Sequence, residues 1–152
     1  MTENQDTIES LLLAVKENEL SITEAKDKLS HYDELGFAKI DLHRTKRQGF
    51  PEVIFGEGKT VTQLDEIVHT LIKHNEVILI TRIDQSKADN IIAKYPQLEY
   101  HETARIVCTP VNTINKTEHF AAIICAGTSD LPVAEEAAIT AEVMGISVQR
   151  FY

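Results

Sequence analysis

Leu64, Ile67, Val68, Leu71 and Ile72 recur at helical spacing, and the continuous apolar run Val77-Ile78-Leu79-Ile80 follows almost at once. An amphipathic helix feeding a short strand that is apolar on both faces leaves few architectures open. The neighbouring segments repeat the alternation. Phe37 to Leu42 reads as a strand, and Val53-Ile54-Phe55 as a second short one that ends at Gly56 and Gly58. Thr60-Val61-Thr62-Gln63 caps the helix. Ala88, Ile91, Ile92 and Tyr95 mark a further helix stopped by Pro96, and Arg105 to Thr109 another strand. This order predicts an α/β fold with a small, largely parallel sheet.

Two short helices are expected before it, over residues 7–30. Ile8, Leu11, Leu12 and Val15 share one face, and Ser21-Ile22-Thr23-Glu24 is a capping box that starts the second helix. The second helix offers only Ile22, Ala25 and Leu29, a thin stripe that has to pack on the rest of the chain or on a partner subunit. After the polar stretch Asn112 to His119 comes a strand, Phe120 to Cys125, then the loop Ala126 to Pro132. A helix from about Val133 to Met144 is closed by Gly145, and Ile146 to Tyr152 is a last strand. That is one right-handed βαβ unit. Because a lone βαβ unit cannot bury both faces of its sheet, the 152 residues are expected to be a fragment of a longer protein. The organisation read from the chain is N-terminal helices over 1–35, a small α/β domain over 36–111, a linker over 112–118 and an incomplete βαβ unit over 119–152.

With 43% hydrophobic and 26% charged residues, the composition suits a globular protein with a packed core. No apolar run approaches the roughly 20 residues of a membrane-spanning helix, and the polar, acidic start Met1 to Asp6 is unlike a secretory signal. Cys108 and Cys125 lack metal-ligand spacing and form no disulfide framework. A reduced, cytoplasmic protein without membrane contact or metal site is expected. The formal charge of -9 disfavours generic nucleic-acid binding.

Against that charge, Lys39, Arg44, Lys46 and Arg47 gather with His43 inside residues 39–47. Basic side chains at a strand end, beside the turn residues Gly49 and Pro51, suit phosphate or carboxylate, Arg as a bidentate fork and Lys as a mobile point charge. A solvated charge run is the alternative. Asp41 either serves as structure between Lys39 and Arg44 or accepts a proton near bound substrate. Glu52 could orient Arg44 or Arg47 through an ion pair. The loop Gly127-Thr128-Ser129-Asp130 is the second candidate, since small residues before a helix let backbone N–H groups approach an anion. Gly, Ser and Asp also serve there merely as turn and cap residues. Both cysteines lie at or near the ends of apolar strands and favour inert packing, with Cys125 the more suspect because it precedes the loop.

Both motifs resemble the LarB family, the pyridinium-3,5-biscarboxylic acid mononucleotide synthases of nickel-pincer cofactor biosynthesis. The resemblance rests on Lys39 to Arg44, on Arg47-Gln48-Gly49-Phe50-Pro51-Glu52-Val53-Ile54-Phe55-Gly56, and on Cys125 to Ala137. The last run is also similar to the ribose-phosphate loop of phosphoribosylaminoimidazole carboxylases, so 119–152 would be the first βαβ unit of a doubly wound carboxylase-like domain. The resemblance implies carboxylation of nicotinic acid adenine dinucleotide at C5 of the pyridinium, using CO2 or bicarbonate, with phosphoanhydride hydrolysis that releases AMP. It implies a cysteine thiolate that adds to the ring, no resident cofactor, and a homo-oligomer, an octamer in the family. Whether magnesium takes part stays open.

Carried onto this chain, the resemblance makes Arg44 and Arg47 contacts for carboxylate or pyrophosphate, and Lys39 a contact for a carboxylate or CO2-derived group. Asp41 would transfer a proton or position the ring, and Gly127, Thr128, Ser129 and Asp130 would meet ribose or phosphate. The carboxylases' opening glycine-serine pair is Ala126-Gly127 here, so that serine's phosphate contact has no counterpart. Neither Cys108 nor Cys125 matches the family nucleophile, which is expected beyond Tyr152. An alternative from a different class is a non-catalytic module that binds dinucleotide or another anion. Nucleic-acid binding ranks behind both, because Phe50 is the one aromatic close to the basic cluster.

Overall fold

The computed structural model describes residues 8–29, 32–42 and 44–152. Helices α1 (Ile8–Lys16) and α2 (Ile22–Leu29) come first, followed by an antiparallel pair, β1 (Tyr32–Glu34) with β2 (Lys39–Asp41). The pair replaces the single expected strand, and the two-residue turn between Leu35 and Ala38 is closed by a 2.9 Å hydrogen bond from Leu35 N–H to Ala38 carbonyl. The capping box of α2 forms as read: Glu24 N–H donates to Ser21 Oγ (3.2 Å), and Ser21 N–H to Glu24 Oε2 (2.9 Å). A short helix, α3 (Arg44–Gln48), precedes β3 (Ile54–Phe55) and α4 (Val61–Lys73). Thr60 and Gln63 cap α4 by the same reciprocal device, at 3.2 and 3.0 Å.

Next come β4 (Leu79–Thr81), α5 (Gln85–Lys94), β5 (Glu99–His101) and β6 (Ile106–Cys108). The four strands join in the order β3-β4-β6-β5. The chain is therefore α/β with parallel pairing, β3 beside β4, but the rest of this sheet differs from the largely parallel one expected: β4–β6 and β5–β6 are antiparallel. The physical reason lies in the links. Only the stretch 102–105 joins β5 to β6, too short for the crossover of a dozen or more residues that a parallel neighbour needs. The helix α4, by contrast, is a full crossover between β3 and β4.

Alternation along the strands separates two apolar clusters. Ile54, Ile80 and Val107 face α4 and α5, where they meet Leu64, Ile67, Val68, Leu71, Ala88, Ile91 and Tyr95. Leu79, Ile106 and Cys108 point the opposite way and pack with Ile139 and Val143. Those two residues belong to α6 (Leu131–Val143), which lies between the parallel strands β7 (Phe120–Ile124) and β8 (Ser147–Phe151). The double-sided apolar pattern of β4 thus reflects helices on both faces of a mixed sheet.

The stretch read as a linker begins in a 3-10 turn, Val111–Thr113, and is then tied to the end of α6. Thr117 N–H donates to Gly145 carbonyl (2.8 Å), Ser147 Oγ to Thr117 carbonyl (3.0 Å), and Lys116 Nζ lies 3.4 Å from Glu142. Glu142 is buried and receives both Arg150 Nη groups, at 2.7 and 3.2 Å. One face of the β7–β8 pair is turned to α6, while Phe120, Ile124 and Phe151 on the other are 57%, 76% and 51% exposed. No helix among the described residues is long and apolar enough to cross a membrane.

Candidate functional site

The basic stretch is built on β2 and the chain just beyond it. Ile40 is buried in the core, which turns its neighbours outward: Lys39 is exposed and Asp41 half-buried. The expected path from strand end to glycine turn is interrupted by α3. Arg44 to Gln48 carries no apolar periodicity, so nothing in it announces a helix, although Arg, Lys and Gln are good helix formers. The helix closes at Gly49, whose φ of 82° is costly for a residue with a Cβ and whose N–H donates to Thr45 carbonyl (2.9 Å). Thr45 Oγ1 in turn donates to Glu76 Oε2 at 2.9 Å, fixing α3 to the loop before β4.

Arg44 is held from two sides. Its Nη1 donates to Glu52 Oε2 at 3.1 Å, and its guanidinium carbon lies 5.5 Å from the Phe50 ring centroid. The pairing anticipated for Glu52 is thus made with Arg44. The Nε of Arg44 is enclosed and has no hydrogen-bond partner. His43 and the side chains of Lys46 and Arg47 fall outside the described residues. Beside Arg44 opens a pocket of about 200 Å³ between β2, β3 and α4, lined by Lys39, Glu52, Phe55 and Lys59 above Ile54 and Ile67. Lys59 and Phe55 are functional candidates that the sequence reading passed over. Their signal is the turn Gly56-Glu57-Gly58-Lys59, which brings a lysine back over the strand it has just left.

The second candidate is the step from β7 into α6. Asp130 occupies the N-cap position but its side chain makes no capping hydrogen bond. Its N–H donates to Gly127 carbonyl (3.0 Å), and its carboxylate turns back so that a Cβ at Gly127 would lie 3.3 Å from Oδ2. Asp130 thus serves as a turn residue through its backbone, without a side-chain cap on α6. Thr128, Ser129 and Asp130 are exposed. Cys125, Ala126, Gly127, Thr128, Leu131 and Tyr152 enclose a pocket of about 130 Å³. The two pockets have no lining residue in common.

The cysteines divide as their positions suggest. Cys108 is fully buried, and burial first, with the charges of Glu99 and Glu142 behind it, pushes its thiol up to about 12. Near neutral pH it cannot supply a thiolate. Cys125 is half-buried at the mouth of the loop pocket. Among the described residues no group of three or more His, Cys, Asp or Glu is arranged to hold a metal ion. One further cation escaped the sequence reading: Arg82, in the left-handed region at φ 54°, pairs with Glu136 of α6 at 3.3 Å.

The chain is similar to an uncharacterized protein of Methanocaldococcus jannaschii, at 33% identity over 154 residues. The match takes in 95% of the chain and 60% of the relative, so the chain spans 60% of that protein's length. The LarB/PurE-like N-terminal domain matches residues 32–111, from β1 through β6 and into the turn beyond it. This stretch holds the basic motif, the pocket beside it and the whole four-stranded sheet. By this match the chain belongs to the family of the LarB/PurE-like N-terminal domain.

Proposed function

We propose that this chain gathers substrate for an enzyme that carboxylates the pyridinium ring of nicotinic acid adenine dinucleotide at C5 and releases AMP, in nickel-pincer cofactor biosynthesis. The observation that carries the reading is Arg44. In a chain of formal charge -9, its guanidinium is immobilised between the Glu52 carboxylate and the Phe50 ring at the edge of a pocket lined by two lysines. A cation ordered before its ligand arrives loses little freedom on binding, which favours a specific anionic ligand at this pocket.

The chemistry follows from the ring. A pyridinium is electrophilic and does not attack CO2. A thiolate that adds to the ring gives a dihydropyridine whose C5 is enamine-like. That carbon forms the new C–C bond to CO2, then loses its proton, and expulsion of the thiolate restores aromaticity. Asp41, at the end of β2, is the proposed proton acceptor, and Lys39, Arg44 and Arg47 the anion contacts. Ser129 and Asp130, with Gly127 and Thr128, are the proposed ribose or phosphate contacts. Cys108 is excluded as nucleophile by its burial and raised pKa. The thiolate is assigned to the longer protein, beyond Tyr152, and that protein to a homo-oligomer.

Incubation with nicotinic acid adenine dinucleotide and bicarbonate, read by mass spectrometry for AMP and the carboxylated mononucleotide, tests this. Product only from a chain extended past Tyr152 is the expected result. Product from residues 1–152 alone would overturn the placement of the nucleophile, and none from either would overturn the carboxylase reading. Cys108's inertness also favours a second reading, a non-catalytic dinucleotide-binding module, for which the extended protein would bind the dinucleotide and leave it intact.

A further inference from the structure

Two exposed surfaces of this chain, distant from the basic cluster in sequence, match each other. The first is the outer face of α1. Leu11 is buried where α1 packs with α2, which leaves Leu12 and Leu13 outside, 56% and 47% exposed. Glu9 and Lys16 are exposed as well. The spacing i, i+3, i+4, i+7 from Glu9 to Lys16 puts these four residues on one face. Two bare leucines between an acid and a base are the pattern of a helix that docks by that face into a groove.

The second surface is an open groove of about 400 Å³ along α6, lined by Val133, Ala137, Thr140, Ala141 and Met144. Ala137 and Ala141 form the hollow at its centre, where another helix can come close. Arg82 and Glu136 carry the only charges in the lining. Arg82 leaves β4 in left-handed backbone, φ 54°, and its Nε donates to both Glu136 oxygens at 3.3 Å. That pair orients the guanidinium with one donor, and among the described residues neither Nη group has a hydrogen-bond partner. The groove thus offers a hollow and an arginine fork shaped for a carboxylate. The helix α1 offers two large side chains and a carboxylate.

We infer that two copies of this chain pair by exchange, α1 of each lying in the α6 groove of the other. Leu12 and Leu13 fill the hollow over the partner's Ala137 and Ala141, and Glu9 meets the Nη groups of the partner's Arg82. The lengths agree. The nine residues of α1 span about 13 Å, and Val133 to Met144 about 16 Å. With Glu9 at Arg82, α1 runs parallel to α6 and brings Lys16 to its carboxyl end, where a cation is favoured. A two-fold axis fills both grooves and closes the assembly at two copies. This pairing goes beyond the proposed chemistry and rests on none of it.

Sedimentation equilibrium of the 152-residue chain tests it. The parent should be a dimer. Leu12→Gln combined with Leu13→Gln should leave a monomer, and so should Ala137→Gln, which fills the groove. All three positions are exposed, so the circular dichroism spectrum should not change. Glu9→Gln should weaken association about tenfold or more, the loss of a charge-assisted hydrogen bond. A mixture of the leucine variant with the groove variant should associate again at high concentration, because one intact helix still finds one intact groove. Contact between two α1 helices would survive Ala137→Gln, and contact between two α6 helices would survive the leucine changes. Neither would return on mixing. A monomeric parent, a dimer indifferent to either surface or to Glu9, or a mixture that stays monomeric overturns the inference. The carboxylase assay is read separately, so each idea stands or fails without the other.

Discussion

Replacing Glu142 by glutamine should cost this chain about 2 kcal/mol at neutral pH. Glu142 is 8% exposed, and its two oxygens meet the two Arg150 Nη groups at 2.7 and 3.2 Å, with Lys116 at 3.4 Å. Burial is the largest influence on its carboxyl and pushes it up. The hydrogen bond and charge of Arg150, followed by Lys116, outweigh burial and hold the carboxyl below its ordinary range. Glutamine keeps the shape and leaves two cations facing an amide. Removing one partner of a fully buried pair costs ~3–5 kcal/mol. Arg150 and Lys116 retain 29% and 32% side-chain exposure, and Glu135 remains 3.4 Å from Arg150, which places the expected loss below that range. At about 2–4 °C per kcal/mol for a chain this long, Tm should fall by roughly 4–8 °C. The pH dependence has a definite sign. A carboxyl whose folded pKa is depressed contributes its stability in full above the unfolded value of ~4.3 and loses it as pH falls through the folded one. Urea unfolding followed by circular dichroism at pH 7 and in mild acid measures both effects. A variant within about 0.5 kcal/mol of the parent at pH 7, or a gap that fails to narrow in acid, would refute the reasoning.

Three other outcomes follow from packing and burial. Gly56→Ala should destabilise by ~1–3 kcal/mol, since the new Cβ would sit 3.0 Å from Thr81 carbonyl, 3.1 Å from Ile80 Cγ2 and 3.2 Å from Ile83 Cβ; chemical denaturation measures it. Native labelling with iodoacetamide should modify Cys125 and spare Cys108, whose thiol is pushed up to about 12, and denaturant should make both react; mass spectrometry of the peptides decides. Tyr95→Phe removes the 2.8 Å hydrogen bond to Asp65 Oδ1 that joins α5 to α4 and should cost about 1 kcal/mol, with Lys94 still pairing Asp65 at 2.7 Å.

The elements with strong local signals are legible in the sequence alone. The stripe from Leu64 to Ile72, its Thr60–Gln63 cap and the stop at Pro96 each follow from helix chemistry within a few residues, and the structure has α4 and α5 there. The capping box at Ser21 behaves likewise. What escaped was short or depended on partners distant in sequence. The strand β5, Glu99-Tyr100-His101, has no apolar run, and only its pairing with β6 makes it a strand. Missing it is what made the sheet look largely parallel. The α3 helix is five residues of polar side chains, below the length at which periodicity says anything. Of the candidate site, the basic cluster and the glycine loop were visible as composition, but the pairing of Arg44 with Glu52 and Phe50 is a matter of tertiary geometry. Lys59 lay hidden in a turn read only for its glycines.

The helix α6 shows most directly why sequence pattern alone could not assemble the chain. Leu131, Val133, Ala134, Ala137, Ala138, Ile139, Ala141 and Val143 make it apolar almost all round, so it has no single stripe to name a single neighbour. A helix of that kind is buried on more than one side. Here Ile139 and Val143 pack with Leu79, Ile106 and Cys108 of the four-stranded sheet, while Glu142, one position before Val143, turns to Arg150 of β8. The same helix carries Gly127 to Asp130 at its N-terminal end, and Asp130 N–H and carbonyl both bond within that step. The seat of α6 is therefore set by the packing of Ile139 and Val143 on the sheet, while the loop before it is closed by its own bond from Asp130 N–H to Gly127 carbonyl. Cys108, fully buried in that contact, serves as a packing group between the sheet and α6.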